Sequence, residues 1–129
     1  MSEPIFLSVE QVVGIQREAV RGFGGSVGVR DAGLLESAVL QPQHVHYYGR
    51  GDLYDLATAY CFHIAENQPF LDGNKRTAVA TAIAFLRLNG VKKDYDPTAL
   101  YEAMIAIAEK RMTRMQLAEL FRSSASSGS

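Results

Sequence analysis

The segment Thr77–Leu86 is small or apolar at every position, so a helix formed from it has no polar face. Such a helix belongs inside a protein rather than on its surface. Asn89 and Gly90 follow shortly afterwards, and this pair favours the end of a helix. The chain is therefore expected to build its core around one central buried helix over residues 74–89.

Capping patterns show where the neighbouring helices begin. Ser8-x-x-Gln11 forms a capping box that predicts a first helix over about 9–22. Asp31 is the expected N-cap of a second helix. That helix should stop before Pro42, because proline disfavours helical geometry in the residue before it.

The segment 41–51 is accordingly expected to be a loop between the second and third helices. It contains His44 and His46, and histidines so close together occur in metal sites, but no third ligand follows at a suitable spacing. A solvated or partner-facing loop is the favoured interpretation.

The remaining helices follow the same rules. A third helix is predicted from Asp52 to about Asn67, where apolar residues recur with the period of one helical face. Asp96 and Pro97 open a fifth helix, and Thr113 caps a sixth. Sustained β-type alternation occurs nowhere. The predicted fold is all-α, a compact single-domain bundle of about six helices.

Composition agrees with one globular domain. The 129 residues are 47% hydrophobic and 21% charged, and the net charge of −1 argues against a global field built to hold nucleic acid. Cys61, the only cysteine, is interpreted as a buried small hydrophobe; with no leader or membrane span evident, a reducing, cytoplasmic setting is expected. The domain is assigned to residues 1–122, and 123–129 are predicted to be a flexible tail.

The stretch Gln68–Arg76, "QPFLDGNKR", joins the third helix to the N-terminus of the central one. Free backbone N–H groups and the positive end of the helix dipole favour an anion there. Gly73 permits a concave turn, and Asn74, Lys75 and Arg76 place an amide and two cations where a helix normally favours acids. Phosphate is the expected ligand.

Asp72 precedes this anion site, where phosphate would repel its carboxylate unless a divalent cation lay between them. Mg²⁺ commonly takes one or two protein carboxylates together with phosphate oxygens, so one aspartate is enough. Phe70 is the expected hydrophobic anchor of the loop. Because Asp-Gly and Asn are also common in turns, the residues alone leave a phosphate–metal loop and an ordinary capped helix start equally open.

The sequence "QPFLDGNKR" resembles the signature loop of the Fic superfamily, His-x-Phe-x-Asp/Glu-Gly-Asn-Gly/Lys-Arg, in the lysine form typical of Doc (death on curing) toxins. Two flanking segments, "GGSVGVRDAGLLESAVLQP" at 24–42 and "TAVATAIAFLRLNG" at 77–90, are similar to Doc relatives as well. The resemblance covers most of residues 5–120. It implies a small helical enzyme that transfers part of a nucleoside triphosphate such as ATP to a hydroxyl of another protein.

The resemblance also implies a role for each residue of the loop. Asp72 would hold Mg²⁺, and Phe70 would seat the loop on the core. The phosphate-binding residues would be Gly73, Asn74, Lys75 and Arg76. The segment 41–51 is matched to the family's flap, which aligns the target by strand-like backbone pairing.

Lys75 decides which group the resemblance expects to be transferred. Most Fic proteins have glycine there and transfer AMP, whereas Doc-like proteins donate the γ-phosphate to a threonine of elongation factor Tu and arrest translation. Phosphoryl transfer is therefore expected ahead of AMP transfer, and a non-catalytic module that binds nucleotide or antitoxin is a further alternative. The inhibitory motif that some Fic proteins carry is absent, so a separate antitoxin is the expected partner.

The departure from the family pattern is Gln68, which stands where the family's histidine accepts the proton of the attacking hydroxyl. Glutamine cannot act as a general base, whose contribution is about 10²–10⁴-fold in rate. The chain is therefore expected to be impaired in transfer while still binding nucleotide. Three explanations stay open: an introduced histidine-to-glutamine change, a naturally degenerate member, or a base relocated to Glu66 or His63. Otherwise His63 is interpreted as a hydrogen-bonded, half-buried histidine.

Overall fold

In the computed structural model, which describes residues 3–49 and 51–124, the chain folds into six α-helices. They are α1 (Val9–Arg21), α2 (Ala32–Tyr47), α3 (Leu53–Asn67), α4 (Asn74–Leu88), α5 (Pro97–Ala108) and α6 (Arg114–Ser123). The all-α prediction is confirmed, as are the N-caps predicted at Ser8, Asp31, Asp96 and Thr113. Asp52, where the third helix was predicted to begin, is the N-cap of α3. No helix within the described ranges is both long and apolar enough to cross a membrane.

The core lies between α3 and α4, which pack against each other. Helix α3 also contacts α2, α5 and α6, and α4 also contacts α1 and α5. Each of the two contributes seven buried residues, so the central position predicted for α4 is shared with α3. Cys61 of α3 is fully buried, as predicted, and burial raises the pKa of its thiol. A thiol of this kind is unreactive.

Helix α2 does not end before Pro42, as the sequence predicted, but continues to Tyr47. Proline inside a helix removes one backbone hydrogen bond and crowds the preceding turn. Burial outweighs that local penalty, because α2 packs against α3 and buries Leu35, Ala38, Val39 and Pro42. Residues 41–47 of the expected loop are therefore helical, and His44 and His46 lie in the last turn of α2.

The end of α6 reaches beyond the predicted domain boundary at 122. Ser123 is the last residue of the helix, and the hydroxyl of Ser124 donates to the carbonyl of Leu120. Ser123 therefore belongs to α6 and Ser124 is bonded to it, so the predicted tail does not begin at 123. The rest of the predicted tail, 125–129, lies outside the described residues.

One arginine ties α6 to the beginning of α3. Arg122 forms ion pairs with Asp52 at 3.0 Å and with Asp55 at 3.3 Å, which are the two residues of the α3 capping box. A third pair joins it to Glu119 at 2.7 Å. Burial on its own would raise the pKa of Asp52, but the hydrogen bonds from Arg122 and from the backbone of Asp55 outweigh it and lower this pKa to about 2.

We expect Arg122→Gln to lower the free energy of unfolding by about 1–2 kcal/mol, after allowance for solvent screening of these partly exposed pairs. Because folding lowers the pKa of Asp52, its contribution is present above about pH 4 and is lost as the pH falls toward about 2. The stability difference between the two proteins, measured by urea unfolding, should shrink over that range. Arg111→Gln, which removes an exposed pair with Glu109, is the control. An equal loss in the control would contradict the assignment.

Candidate functional site

The motif loop, residues 68–73, connects the C-terminus of α3 to the N-terminus of α4. Phe70 in this loop is 1% exposed and belongs to the core cluster. Its N–H donates to Oδ1 of Asn74 at 2.9 Å, and Nδ2 of Asn74 donates back to the Phe70 carbonyl at 3.0 Å. The side chain of Asn74 thus braces the loop, and its backbone N–H is the group left for an anion.

Helix α4 is the one helix within the described residues that begins without a side-chain cap. The N–H of Thr77 makes the first helical bond, to the Gly73 carbonyl at 2.8 Å. The N–H groups of Asn74, Lys75 and Arg76 precede it and have no acceptor in the helix. Three such amides at the positive end of a helix dipole form an anion site.

Glycine is required at position 73 for two reasons. Its φ of 70° lies in the left-handed region, which side chains disfavour. A Cβ built at this position would also lie 2.6 Å from Cγ1 of Val20, on α1. The open start of α4 therefore depends on close packing against α1.

The carboxylate of Asp72 is exposed at the edge of this anion site. Its Oδ2 accepts the N–H of Ser26 at 2.7 Å, which fixes the direction of the side chain. No cluster of three or more His, Cys, Asp or Glu side chains that could enclose a metal occurs in residues 3–49 and 51–124. A single oriented carboxylate beside a phosphate site fits Mg²⁺, which completes its coordination with phosphate oxygens and water.

The two cations that follow are open to a ligand. No ion pair within the described ranges involves Lys75 or Arg76. The guanidinium of Arg76 lies 3.7 Å above the ring of Phe23, which is 67% exposed. Phe23 and Arg76 border a cleft of about 480 Å³, which lies between α4 and α5 near the end of α1. The sequence did not indicate Phe23 as a site residue, because stacking between residues far apart in the sequence is not a local pattern.

A fully buried glutamine on α1 joins the motif loop to the segment 24–30. Nε2 of Gln16 donates to the carbonyls of Ser26 and Asp72, both at 3.1 Å, and its Oε1 accepts the N–H of Gly28 at 3.2 Å. Sequence reasoning missed this residue. A signal was present, since Gln16 stands four residues from Val12 and from Val20 on the buried face of α1.

The segment 24–30 pairs with the motif loop in the manner of a strand. The N–H of Leu71 donates to the Gly28 carbonyl at 3.0 Å, and the N–H of Arg30 donates to the Pro69 carbonyl at 2.7 Å. Between these bonds, Val29 and Phe70 form an isolated antiparallel bridge.

The flap was assigned to 41–51 from the sequence, and that position is wrong. The segment 41–51 precedes α3, whereas the motif loop follows it, and a helix of 15 residues is about 22 Å long. The segment 24–30 is the one that lies against the motif loop.

His63, one of the two candidates for a relocated base, makes no hydrogen bond to the motif loop through its Nε2. It lies near Arg114 of α6, and its Nε2 is buried without a hydrogen-bond partner among the described residues, so the prediction of a hydrogen-bonded histidine is wrong. Burial, together with the charge of Arg114, lowers its pKa to about 4. A base so far below neutral pH contributes little. Glu66 is exposed on the last turn of α3.

Comparison with known proteins shows the family of the chain. A sequence model of the Fic/DOC family matches residues 6–86. The chain belongs to the Fic/DOC family. It is 43% identical over 94 residues to "Toxin Doc" of Mycolicibacterium smegmatis, covering 68% of this chain and 71% of that protein. It is 29% identical over 117 residues to "Protein kinase doc" of Escherichia phage P1, covering 90% and 92%.

We expect Gly73→Ala to destabilise this Fic/DOC domain by about 3 kcal/mol, from left-handed backbone strain and the clash with Val20. Gly24→Ala is the matched control, because Gly24 has a φ of 75° with open space where its Cβ would lie. It should cost only the strain, about 1–2 kcal/mol. Val20→Ala should partly rescue Gly73→Ala in urea unfolding. Absence of that rescue would contradict the packing argument.

Proposed function

We propose that the protein is the toxin of a toxin–antitoxin module and that its site transfers the γ-phosphate of a nucleoside triphosphate to a hydroxyl of a protein target. The observation that carries the proposal is the uncapped start of α4, preceded by Asp72 and followed by Lys75 and Arg76. The names of the two relatives, a Doc toxin and a Doc protein kinase, support the same function.

The start of α4 offers two kinds of group to the phosphates. Three backbone amides donate hydrogen bonds in fixed directions, and Lys75 and Arg76 add positive charge. Fixed donors of this kind stabilise charge on a transferring phosphoryl group without having to reorganise. Lysine rather than glycine at position 75 favours transfer of the γ-phosphate over transfer of AMP, by the resemblance to Doc proteins.

Asp72 is the proposed Mg²⁺ ligand. When bound, Mg²⁺ neutralises part of the charge on the phosphates. The Ser26 N–H engages Oδ2, so the carboxylate is already oriented before any ligand arrives. Such orientation lowers the entropy that binding has to remove.

The target segment is proposed to dock along the free edge of 24–30. The Gly28 carbonyl and the Arg30 N–H bond to the motif loop, so the backbone groups of Val29 between them point to the opposite edge. An extended peptide can add to such an edge as a strand. The apolar side chains of Val27, Val29 and Leu71 are exposed around it, at 48%, 37% and 53%.

In the proposed reaction the hydroxyl oxygen bonds to the γ-phosphorus, the bond from that phosphorus to the β-bridging oxygen breaks, and the hydroxyl proton must leave. Gln68 can hydrogen-bond to the hydroxyl but cannot accept the proton. Turnover is therefore impaired, although some of it should remain because phosphoryl transfer depends mainly on positioning and charge. Nucleotide binding, which needs no general base, should be retained. The proposed partners are a separate antitoxin and, by resemblance, a threonine of elongation factor Tu, in the cytoplasm.

We expect Asp72→Asn to weaken binding of Mg²⁺–ATP about tenfold or more, because the amide still accepts the Ser26 N–H but has no charge for the metal. Arg76→Ala should weaken binding both with Mg²⁺ and with EDTA. Titration calorimetry measures both. Arg87→Ala, at the exposed opposite end of α4, is the control. Unchanged affinity in Asp72→Asn would refute the metal assignment.

We expect Gln68→His to raise phosphoryl transfer about 10²–10⁴-fold, because it restores a general base. Two measurements check this: the label transferred from γ-labelled ATP to elongation factor Tu, and the growth of cells that lack an antitoxin, which the variant should inhibit. Gln68→Ala should stay inactive. Label from α-labelled ATP would indicate AMP transfer instead. Unlabelled target together with unchanged growth would leave a non-catalytic binding module as the function.

A further inference from the structure

Arg30 binds the two carbonyls at the junction of α3 and the motif loop. Its Nε donates to the carbonyl of Gln68 at 2.8 Å, and its Nη2 donates to the carbonyl of Asn67 at 3.0 Å. No role for this arginine follows from the motif, which begins at position 68. The arginine reaches the junction from the segment 24–30, far away in sequence.

The junction needs such a partner. The last carbonyls of a helix have no partner within the helix, and they form the negative end of its dipole. Helix α3 has no basic residue in its own last turn. Arg30 therefore supplies from outside the cation and the donors that the end of α3 lacks.

Gln68 adopts a backbone conformation that needs support. Its φ is 46° and its ψ is 57°, in the left-handed region, where a residue with a Cβ is strained by about 1–2 kcal/mol. A charged hydrogen bond to its own carbonyl offsets a strain of this size. This backbone conformation fixes the direction of the Cα–Cβ bond at position 68, from which the side chain starts.

Arg30 is itself held in place. Its backbone N–H and that of Asp31 both donate to the Pro69 carbonyl, at 2.7 and 3.1 Å. The side chain of Asp31 caps α2 through the N–H of Leu34 at 3.0 Å. The guanidinium therefore starts from a fixed backbone and not from a free loop.

We propose that Arg30 is a positioning residue for position 68, which it holds in the left-handed conformation that aims the side chain at the reacting hydroxyl. The proposal rests on the proposed function, since it deepens the role of the same site. It predicts that loss of Arg30 lowers turnover through position 68 and leaves the phosphate and metal groups of α4 intact.

The backbone at position 68 can be tested without any turnover. In NMR spectra, a positive φ gives a short distance between the amide proton and Hα of the same residue. We expect Arg30→Ala to lose this signature at Gln68, and Arg30→Lys, which keeps one charged donor, to retain part of it. Asn67→Ala is the matched control. It removes a second tether between the junction and α2, from Nδ2 to the Leu34 carbonyl at 3.1 Å, but leaves the Arg30 bonds in place.

Turnover is then measured in the Gln68→His background. Arg30→Ala should lower kcat for transfer about 10- to 100-fold, as misplacement of a reacting group does, without changing the Kd for Mg²⁺–ATP. Asn67→Ala should change neither kcat nor this Kd. A positive φ that persists in Arg30→Ala, or an equal loss of signature in Asn67→Ala, would overturn the proposal. A Gln68→His protein that transfers nothing would refute the proposed function, while the NMR comparison would still decide the role of Arg30.

Discussion

The buried amide of Gln16 is the interaction on which the site depends. It is the one polar side chain that α1 turns inward, and its three hydrogen bonds reach both loops of the site. A buried amide left without its hydrogen bonds costs about 1–3 kcal/mol. Separating the segment 24–30 from the motif loop would therefore be unfavourable. A residue on a helix distant from the motif in sequence thereby determines where Asp72 lies.

The motif loop connects two helix ends of opposite electrostatic sign. Helix α3 ends at its negative pole, where Arg30 supplies a cation. Helix α4 begins at its positive pole, where Lys75 and Arg76 add further positive charge. The protein neutralises the first pole with its own side chain and leaves the second to a ligand. The two ends of the loop therefore differ in electrostatic character, and only the end at α4 keeps an excess of positive charge.

The sequence predicted what depends on neighbouring residues and missed what depends on distant ones. The N-caps, the buried face of α3 and the all-α class follow from local chemistry, and the structure confirms them. The passage of α2 through Pro42 was missed because packing against α3 decided it. The pairing of 24–30 with the motif loop and the role of Gln16 were missed for the same reason. Within the site, the motif located the residues, but their orientation comes from α1 and from the segment 24–30.

The uncapped start of α4 also affects the stability of the protein toward unfolding and proteolysis. In the other five helices of the described residues, the N-cap side chain accepts a hydrogen bond from at least one N–H of the first turn. Helix α4 has no such cap, so a bound ligand would supply this stabilisation. A ligand that binds only the folded state raises stability by mass action. The empty protein is consequently the form most exposed to unfolding and proteolysis. If the ligand is the nucleotide of the proposed function, its supply would also set how much folded protein survives.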